Sequence, residues 1–246
     1  MKVHTLHTGL LALPFAMTMA TALAADMQTM GRFAIDRTEV TVGDFRAFVK
    51  ATGLRTRAEQ QGGGAVYESG WVRKPGWTWK APYGEPATDA EPAVHVTFDE
   101  SQAYCRWAGK RLPKEAEWIE AAYTERRASP AAPFMTGKTY DYPTGDKPAG
   151  ANCLDDCGAV NVIDRSSVLT RGRGHALAGS TRAGVNGLHD MGANVWEWVD
   201  GGSERLTLGG SWWYGAAQMH REHRASKPVD TAVVYIGFRC VKDLKR

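Results

Sequence analysis

The sequence predicts one domain of mixed helices and strands in which loops take up much of the chain. Three observations lead to this prediction. The 246 residues include 27 Gly and 9 Trp, a composition typical of irregular structure held together by large buried aromatic rings. The first patterned segment reads as a strand that runs directly into a helix. Removal of an N-terminal leader leaves about 220 residues, which is enough for one domain with a sizeable core.

The N-terminal segment has the features of a secretory signal peptide. An apolar stretch ends in the small-residue pattern Ala22-Leu-Ala-Ala25, which is of the kind cleaved from exported precursors. We predict a signal peptide over residues 1–24, cleaved near Ala24 or Ala25, and a mature domain over residues 25–246. A retained N-terminal anchor is the alternative. No later stretch approaches ~20 apolar residues, so no membrane span is expected in the mature protein. Because of the signal peptide, the mature protein is expected in the periplasm or outside the cell.

Charge and cysteine content exclude some classes of function. The formal net charge is +3 and the basic residues are not clustered, so no nucleic-acid partner is expected. The four cysteines suit an oxidising compartment and allow three disulfide pairings. The spacing of Cys153 and Cys157 favours a local bridge, which leaves Cys105 and Cys240 to pair. A zinc site at Cys153 and Cys157 is the alternative, although no second close cysteine pair accompanies them.

The first element in chain order is a strand over residues 31–40, followed by a helix. Thr41 is a suitable N-cap, Phe45 and Phe48 fall on one helical face, and Gly53 is a suitable C-terminal stop. Residues 54–92 follow neither the helical nor the strand period, and they are rich in Gly, Pro and Trp. We predict a long ordered loop there, because disordered linkers rarely carry several tryptophans.

The middle of the chain reads as a short strand and two helices. Residues 92–97 predict the strand, and its His95 is more often a hydrogen-bonded structural residue than a catalytic one. A helix follows through Trp107 to Gly109, and Pro113 marks the start of the next helix.

The second half is predicted to be mainly loop over residues 128–186. Two core strands then follow at residues 206–213 and 233–241. Between these strands lies the polar segment from His220 to Arg224, which could line a pocket.

The densest stretch of chemistry runs from Asn186 to Trp198. Gly187 and Gly192 permit backbone conformations that other residues avoid, while Asn194 and Glu197 offer hard oxygen ligands beside tryptophans that favour burial. This combination predicts a buried, oxygen-lined cation site. The alternative is that both polar side chains only tie down loop backbone while the tryptophans fill the interior.

A series of short motifs follows one order along the chain, at residues 35–41, 92–97, 103–118, 142–146, 187–191, 194–198, 209–212 and 236–240. This series resembles the formylglycine-generating enzyme, or sulfatase-modifying-factor, family. The resemblance spans nearly the whole mature chain and implies one compact α+β domain with little regular secondary structure, often containing calcium.

The resemblance also implies metal ligands and one disulfide. The family's calcium loop falls on the side chains of Asn194 and Glu197 and on backbone oxygens near Ala193 and Val195, a ligand type that calcium accepts. Ala193 stands where the family usually has Gly. A second calcium site would lie near Asn152 and a later carboxylate, such as Asp164. The family's long-range disulfide corresponds to Cys105 with Cys240.

The chain departs from the family at the position of the chemistry. In the enzymes that the chain resembles, two cysteines after the Gly-Gly-Ser-Trp motif bind copper(I) and use O₂ to convert a substrate cysteine to formylglycine, and soft thiolates suit that ion. Here these positions are Tyr214 and Met219, so we expect no formylglycine-generating activity. Copper bound by Met219 with His220 or His223 is the alternative, but histidines in a charged segment are more often surface residues. Neither copper nor iron is expected.

Two functions are compatible with this departure. The first is an exported, non-catalytic module that binds a protein or peptide in the former active-site groove, as in the regulation of type VI secretion. The second is a periplasmic oxidoreductase of altered chemistry that resembles the family member of pyoverdine maturation. The candidate groove residues are Ser211, Trp213, Tyr214, Met219, His220, Glu222, His223 and Arg224.

Overall fold

A computed structural model describes residues 26–158, 160–162, 164–165, 167–169 and 172–245. The predicted signal peptide and its cleavage point lie outside these ranges. None of the helices within them has the length and apolar character that a membrane span requires.

Helices and strands make up a modest part of the described chain, as the predicted fold class requires. The helices are α1 Val42–Thr52, α2 Arg57–Gln60, α3 Phe98–Trp107 and α4 Glu115–Tyr123. The strands are β1 Met27–Met30, β2 Phe33–Asp36, β3 Ala65–Tyr67, β4 Trp71–Arg73, β5 Trp196–Gly201, β6 Glu204–Leu208, β7 Ala225–Ser226, β8 Ile236–Gly237 and β9 Val241–Asp243. They pair in the orders β1-β2-β9, β3-β4 and β7-β6-β5-β8. The α+β class predicted from the sequence is therefore confirmed.

Helix α1 forms where the sequence places it. The Thr41 side chain accepts a hydrogen bond from the backbone N–H of Asp44, and the Asp44 carboxylate accepts one from the Thr41 backbone in return. Gly53 ends the helix with a φ of 70°, a left-handed conformation that costs glycine little. Phe45 and Phe48 are buried on one face, so capping and periodicity agree with the tertiary structure.

Helix α4 begins slightly later than predicted. Lys114 is its N-cap and Glu115 its first residue, so Pro113 precedes the helix instead of opening it. The Pro113 carbonyl accepts a hydrogen bond from Asp200 N at 2.9 Å. This contact with β5 holds the entry of the helix against the central sheet.

The strand predicted over residues 92–97 is wrong. His95 has a φ of 57°, which interrupts the extended backbone that a strand needs. The segment still crosses the core, because Ala93 N donates to Val40 O at 2.9 Å and His95 N donates to Val233 O at 3.0 Å. The buried His95 ring has Pro82 O as its hydrogen-bond partner, 3.0 Å from Nε2, which agrees with a structural role.

The predicted core strands are shorter than expected, and β5 in the same sheet is additional. Strand β6 ends before Gly209 and Gly210, whose φ values of 93° and 78° are left-handed. A Cβ on Gly209 would lie 2.7 Å from Met191 O. Only glycine therefore fits at this position, where the chain leaves the sheet. The predicted strand over 233–241 contributes only β8 and the first residue of β9. Strand β5, at the end of the densest motif, was not predicted.

Residues 54–92 contain more structure than the predicted loop. They hold the short helix α2 and the β3–β4 hairpin. Trp77 and Trp79 are buried as expected, whereas Trp71 is 61% exposed. The prediction of an ordered segment is confirmed, but the prediction that it lacks regular structure is wrong, because strands of three residues are too short for a visible alternation.

Both predicted disulfides are present. Cys105 in α3 is bonded to Cys240 with a Cα–Cα distance of 5.7 Å, and Cys153 is bonded to Cys157 with a distance of 5.8 Å. The long-range bond joins α3 to the chain just before β9, so it closes the core across 135 residues. Because both sulfurs of the close pair are used in a bond, the zinc alternative is wrong.

Strand β5 is the element that positions the site. It pairs antiparallel with β6 and parallel with β8. Successive side chains of a strand point to opposite faces of its sheet. Glu197 therefore faces one layer of the protein, while Trp196 and Trp198 face the other.

Candidate functional site

Asn194 lies at the centre of a buried set of polar groups and joins several chain segments. Its Oδ1 accepts hydrogen bonds from Asn152 Nδ2 at 3.0 Å and from Ala176 N at 2.8 Å. Its Nδ2 donates to Glu39 Oε1 at 2.8 Å. The backbone is left-handed here, with φ of 60° at Ala193 and 55° at Asn194. Through these contacts Asn194 joins the loops that carry Asn152, Ala176 and Glu39.

Glu197 forms a buried ion pair with Arg239. The guanidinium of Arg239 donates to both carboxylate oxygens over distances of 2.7 to 3.0 Å. Trp118 Nε1 donates to Glu197 Oε2 at 2.7 Å. Arg239 also donates to the backbone carbonyls of Asp36 and His189. A buried charge needs this degree of pairing and hydrogen bonding to be tolerated.

Glu39 adds negative charge that Arg239 alone does not balance. Its carboxylate is 1% exposed, and Oε2 has no hydrogen-bond partner among the described residues. Burial raises the pKa of Glu39 well above its usual value, and the charges of Asp190 and Glu197 raise it further while Arg239 opposes them. Three carboxylates thus lie near one guanidinium.

Glu39 suits a bound cation better than the predicted side-chain ligands Asn194 and Glu197 do. The unpartnered Glu39 oxygen could serve as a ligand, whereas the side-chain oxygens of Asn194 and Glu197 already accept hydrogen bonds. Within the described ranges no three His, Cys, Asp or Glu side chains converge on one point. Backbone carbonyls would have to complete a calcium shell, so the calcium assignment stays a prediction.

The predicted second calcium site consists of Asn152 and a later carboxylate such as Asp164. Asn152 is buried and donates to Gly174 O at 3.1 Å and to Asn194, while its Oδ1 accepts from Arg173 at 3.2 Å. Asp164 is exposed and pairs with Arg173 through an isolated backbone bridge. The Asn152 side chain therefore holds loops together, and a second calcium ion there is an untested prediction.

The two positions that carry cysteines in the resembling enzymes hold different chemistry here. Met219 is fully buried, and its backbone carbonyl accepts a hydrogen bond from the Tyr123 hydroxyl at 3.1 Å. Tyr214 is half-buried and stands beside Trp196. All four cysteines of the chain are in disulfides, so the protein has no free thiol. These residues do not fit a copper(I) thiolate site, because thiolates are its characteristic ligands.

Four side chains form a cluster at the surface on the other face of β5, which we name the aromatic–lysine cluster: Trp196, Tyr214, His223 and Lys227. The Trp196 ring lies 5.9 Å from the Tyr214 ring and 5.6 Å from the His223 ring. Lys227 Nζ lies 5.8 Å from the Trp196 ring centroid, within the range of a cation–π contact. Trp196 is buried, and the other three side chains are half-buried.

The cluster is cationic and partly removed from water. Burial lowers the pKa of Lys227. Burial also lowers the pKa of His223, and the charges of Lys227 and Arg224 add to that effect. Arg224 is itself paired with Glu115 at 2.6 Å.

The remaining candidate groove residues do not form one pocket. Ser211 and Trp213 are buried in the core, where Trp213 stacks on Tyr235 at 6.1 Å. The Trp213 ring therefore presents almost no surface to solvent. His220 packs against Tyr142 at 5.5 Å, away from the Trp196 ring that His223 contacts. Glu222 is exposed, and its backbone N–H donates to His220 Nδ1 at 3.4 Å.

Sequence reasoning missed Glu39, Arg239 and Lys227. Arg239 carried a usable signal, because a lone charge in an apolar segment such as residues 236–241 predicts a buried pair. Glu39 carried a weaker signal of the same kind beside Val40. Lys227 had none, since a lysine in a polar loop is normally solvated.

Known protein families and proteins resemble this chain over most of its length. A family model described as sulfatase-modifying factor enzyme 1-like domain matches residues 9–244. The chain is 31% identical to a formylglycine-generating enzyme of Thermomonospora curvata over 86% of this chain and 82% of that protein. It is 29% identical to the inactive C-alpha-formylglycine-generating enzyme 2 of Mus musculus, over 89% of this chain and 77% of that protein.

One solved structure shows the fold again. PvdO from Pseudomonas aeruginosa superposes with a TM-score of 0.56 at 21% identity, covering 86% of this chain and 80% of that chain. At this identity the likeness concerns the fold alone.

Proposed function

This chain belongs to the sulfatase-modifying factor enzyme 1-like domain family, and from that premise we propose that it is an exported module that binds a protein or peptide and does not generate formylglycine. The observation that carries the proposal is the loss of thiols: Tyr214 and Met219 stand at the two reactive positions, and every cysteine is in a disulfide. Family membership does not decide activity, because relatives of similar identity are named as active and as inactive enzymes.

The aromatic–lysine cluster supports the binding part of the proposal. It combines a large aromatic surface with a polar group at the solvent boundary, and Trp and Tyr are enriched in protein interfaces. The two disulfides support an oxidising location such as the periplasm. A regulatory or accessory role there fits a domain that keeps its scaffold without the family's thiols.

An oxidoreductase of altered chemistry is the second candidate, and the side-chain positions favour it less. Such an enzyme would bring Tyr214, His220, His223 and neighbouring charges together on one substrate. Instead, the two histidine rings contact different aromatic residues, and Arg224 is paired with Glu115. We therefore prefer the binding module.

Two measurements on the purified mature protein test this choice. With copper(I), O₂ and a cysteine-containing peptide, mass spectrometry should detect no aldehyde product. Metal analysis should find neither copper nor iron in stoichiometric amount. Aldehyde formation would contradict the argument from Tyr214 and Met219. Stoichiometric copper or iron that is lost on changing both His220 and His223 to Ala would favour the oxidoreductase.

We also propose that calcium supports the fold near Glu39. The unpartnered Glu39 carboxylate oxygen would hold the ion together with backbone oxygens near Ala193 and Val195. Calcium should then raise the thermal midpoint of the wild type above its value in chelator by several degrees. The Glu39→Gln variant should lose most of this rise. Equal midpoints for the wild type in calcium and chelator would contradict the proposal.

A further inference from the structure

Lys227 is a half-buried ammonium without a counter-ion among the residues that the structure describes. Among the described residues, no carboxylate oxygen lies within 4.0 Å of its Nζ, in contrast to the neighbouring arginines. Arg224 is paired with Glu115 at 2.6 Å, and Arg221 with Asp141 at 3.1 Å. The carboxylates that pair with these two arginines are thus already engaged. Removing an ammonium from water without a partner is unfavourable.

The surroundings of Lys227 restrict what could pair with it. Its Nζ lies over the Trp196 ring, and Tyr214 packs against the same ring while remaining partly exposed. His223 adds a second polar group on that side. An anion entering here would meet the ammonium, with an aromatic wall beside it for the apolar part of the same ligand.

From this charge complementarity we propose that the aromatic–lysine cluster recognises an acidic peptide segment, in which an Asp or Glu carboxylate pairs with Lys227 and the adjoining apolar group packs on Tyr214. The proposal rests on the binding function proposed above and names the chemistry of its partner. Charge-assisted hydrogen bonds are among the stronger polar contacts in proteins, and an ammonium that is already partly desolvated loses less hydration when the anion arrives.

Paired peptide arrays test the proposal without knowledge of the natural partner. One array carries blocked peptides of varied sequence that contain Asp or Glu, and its twin carries the same peptides with Asn or Gln instead. The labelled mature protein should bind the acidic array selectively. Isothermal titration with the tightest acidic peptide should show about tenfold weaker affinity for Lys227→Met, which keeps the apolar stem but removes the charge.

A matched control and the contrary outcomes complete the experiment. Lys242→Met removes an exposed lysine on β9, in a different sheet, and should bind like the wild type. Binding without preference for the acidic array, or unchanged affinity in Lys227→Met, would overturn the acidic-ligand proposal while leaving a peptide-binding function intact. Absence of binding on both arrays would overturn the proposed peptide-binding function itself.

Discussion

The two faces of strand β5 carry polar groups in opposite situations. On one face Glu197 is buried with Arg239 and Trp118, and its charge is matched by donors within the protein. On the other face Lys227 lies over Trp196 at the surface, half-buried and without an anionic partner among the described residues. The two regions are separated by a single strand, yet the Glu197–Arg239 pair is electrostatically complete and the Lys227 ammonium is not.

This difference distinguishes polar residues that stabilise the fold from polar residues that remain available to a ligand. A buried ion pair that is fully hydrogen-bonded fixes how chain segments meet, and removing one partner leaves an uncompensated charge. A partly desolvated charge with no partner contributes little to the fold and remains available to a ligand. The density of polar residues in the sequence drew attention to Asn194 and Glu197. The aromatic–lysine cluster, in contrast, holds the charge that we propose a ligand pairs with.

The largest expected effect comes from removing one partner of the buried Glu197–Arg239 ion pair. Arg239→Met should lower the free energy of unfolding by about 3–5 kcal/mol, because Glu197 would remain buried without its cation. Chemical denaturation monitored by circular dichroism measures this change. Arg126→Met is the matched control, since Arg126 pairs with Glu120 on the exposed surface and should change stability by less than about 0.5 kcal/mol. Equal effects of the two variants would contradict the contrast.

The second effect concerns acid stability and two buried histidines of the core. Burial lowers the pKa of His95 from 6.5 to about 4, although the carbonyls of Pro82 and Ala232 oppose it. Burial also lowers the pKa of His175, although its contact with Glu91 opposes it. Below pH 6.5 the unfolded chain binds protons that these folded histidines do not. Stability should therefore fall as pH decreases from 6.5 towards 4, by roughly 3 kcal/mol from His95 alone.

Unfolding curves at a series of pH values measure this dependence. His95→Asn should flatten it, because asparagine does not titrate in that range and tolerates the positive φ of this position. The control variant His220→Asn changes a half-buried histidine and should leave the slope nearly unchanged. A wild-type stability that is constant from pH 6.5 to 4 would be incompatible with histidines kept neutral by burial.

The smallest effect is expected on the incomplete side. Lys227→Met should change the free energy of unfolding by no more than about 1 kcal/mol, because no ion pair is lost among the described residues and the cation–π contact with Trp196 is of that order at a partly exposed site. Thermal and chemical unfolding give this value. A loss of 2 kcal/mol or more would show that Lys227 has a structural partner and would remove the contrast between the two faces.

Local signals in the sequence predicted the helices better than the strands. The Thr41 cap and Gly53 stop of α1 act within a few residues, so they can be read from the chain. Strands β5 and β8 depend on pairing with each other, and residues 92–97 failed as a strand because His95 takes a positive φ in the core. Long-range pairing and local strain are not visible in a single sequence.

The candidate site was predicted in part for the same reason. The importance of Asn194 and Glu197 followed from their setting, but whether their oxygens were available depended on Asn152 and Arg239, which lie 42 residues away along the chain in each case. Of the aromatic–lysine cluster, the sequence predicted only Tyr214 and His223 as site residues. Trp196 on β5 and Lys227, directly after β7, complete it from separate parts of one sheet.

The sequence by itself determined the family resemblance, the helix caps, the cysteine pairing it favoured and the absence of the two reactive thiols. These follow from residue identity or from contacts within a few positions. Only the tertiary structure decided that Glu197 is paired with Arg239 and that Lys227 is left without an anion. The reason is that burial and charge balance depend on which distant segments meet, and those meetings are set by packing of the whole core.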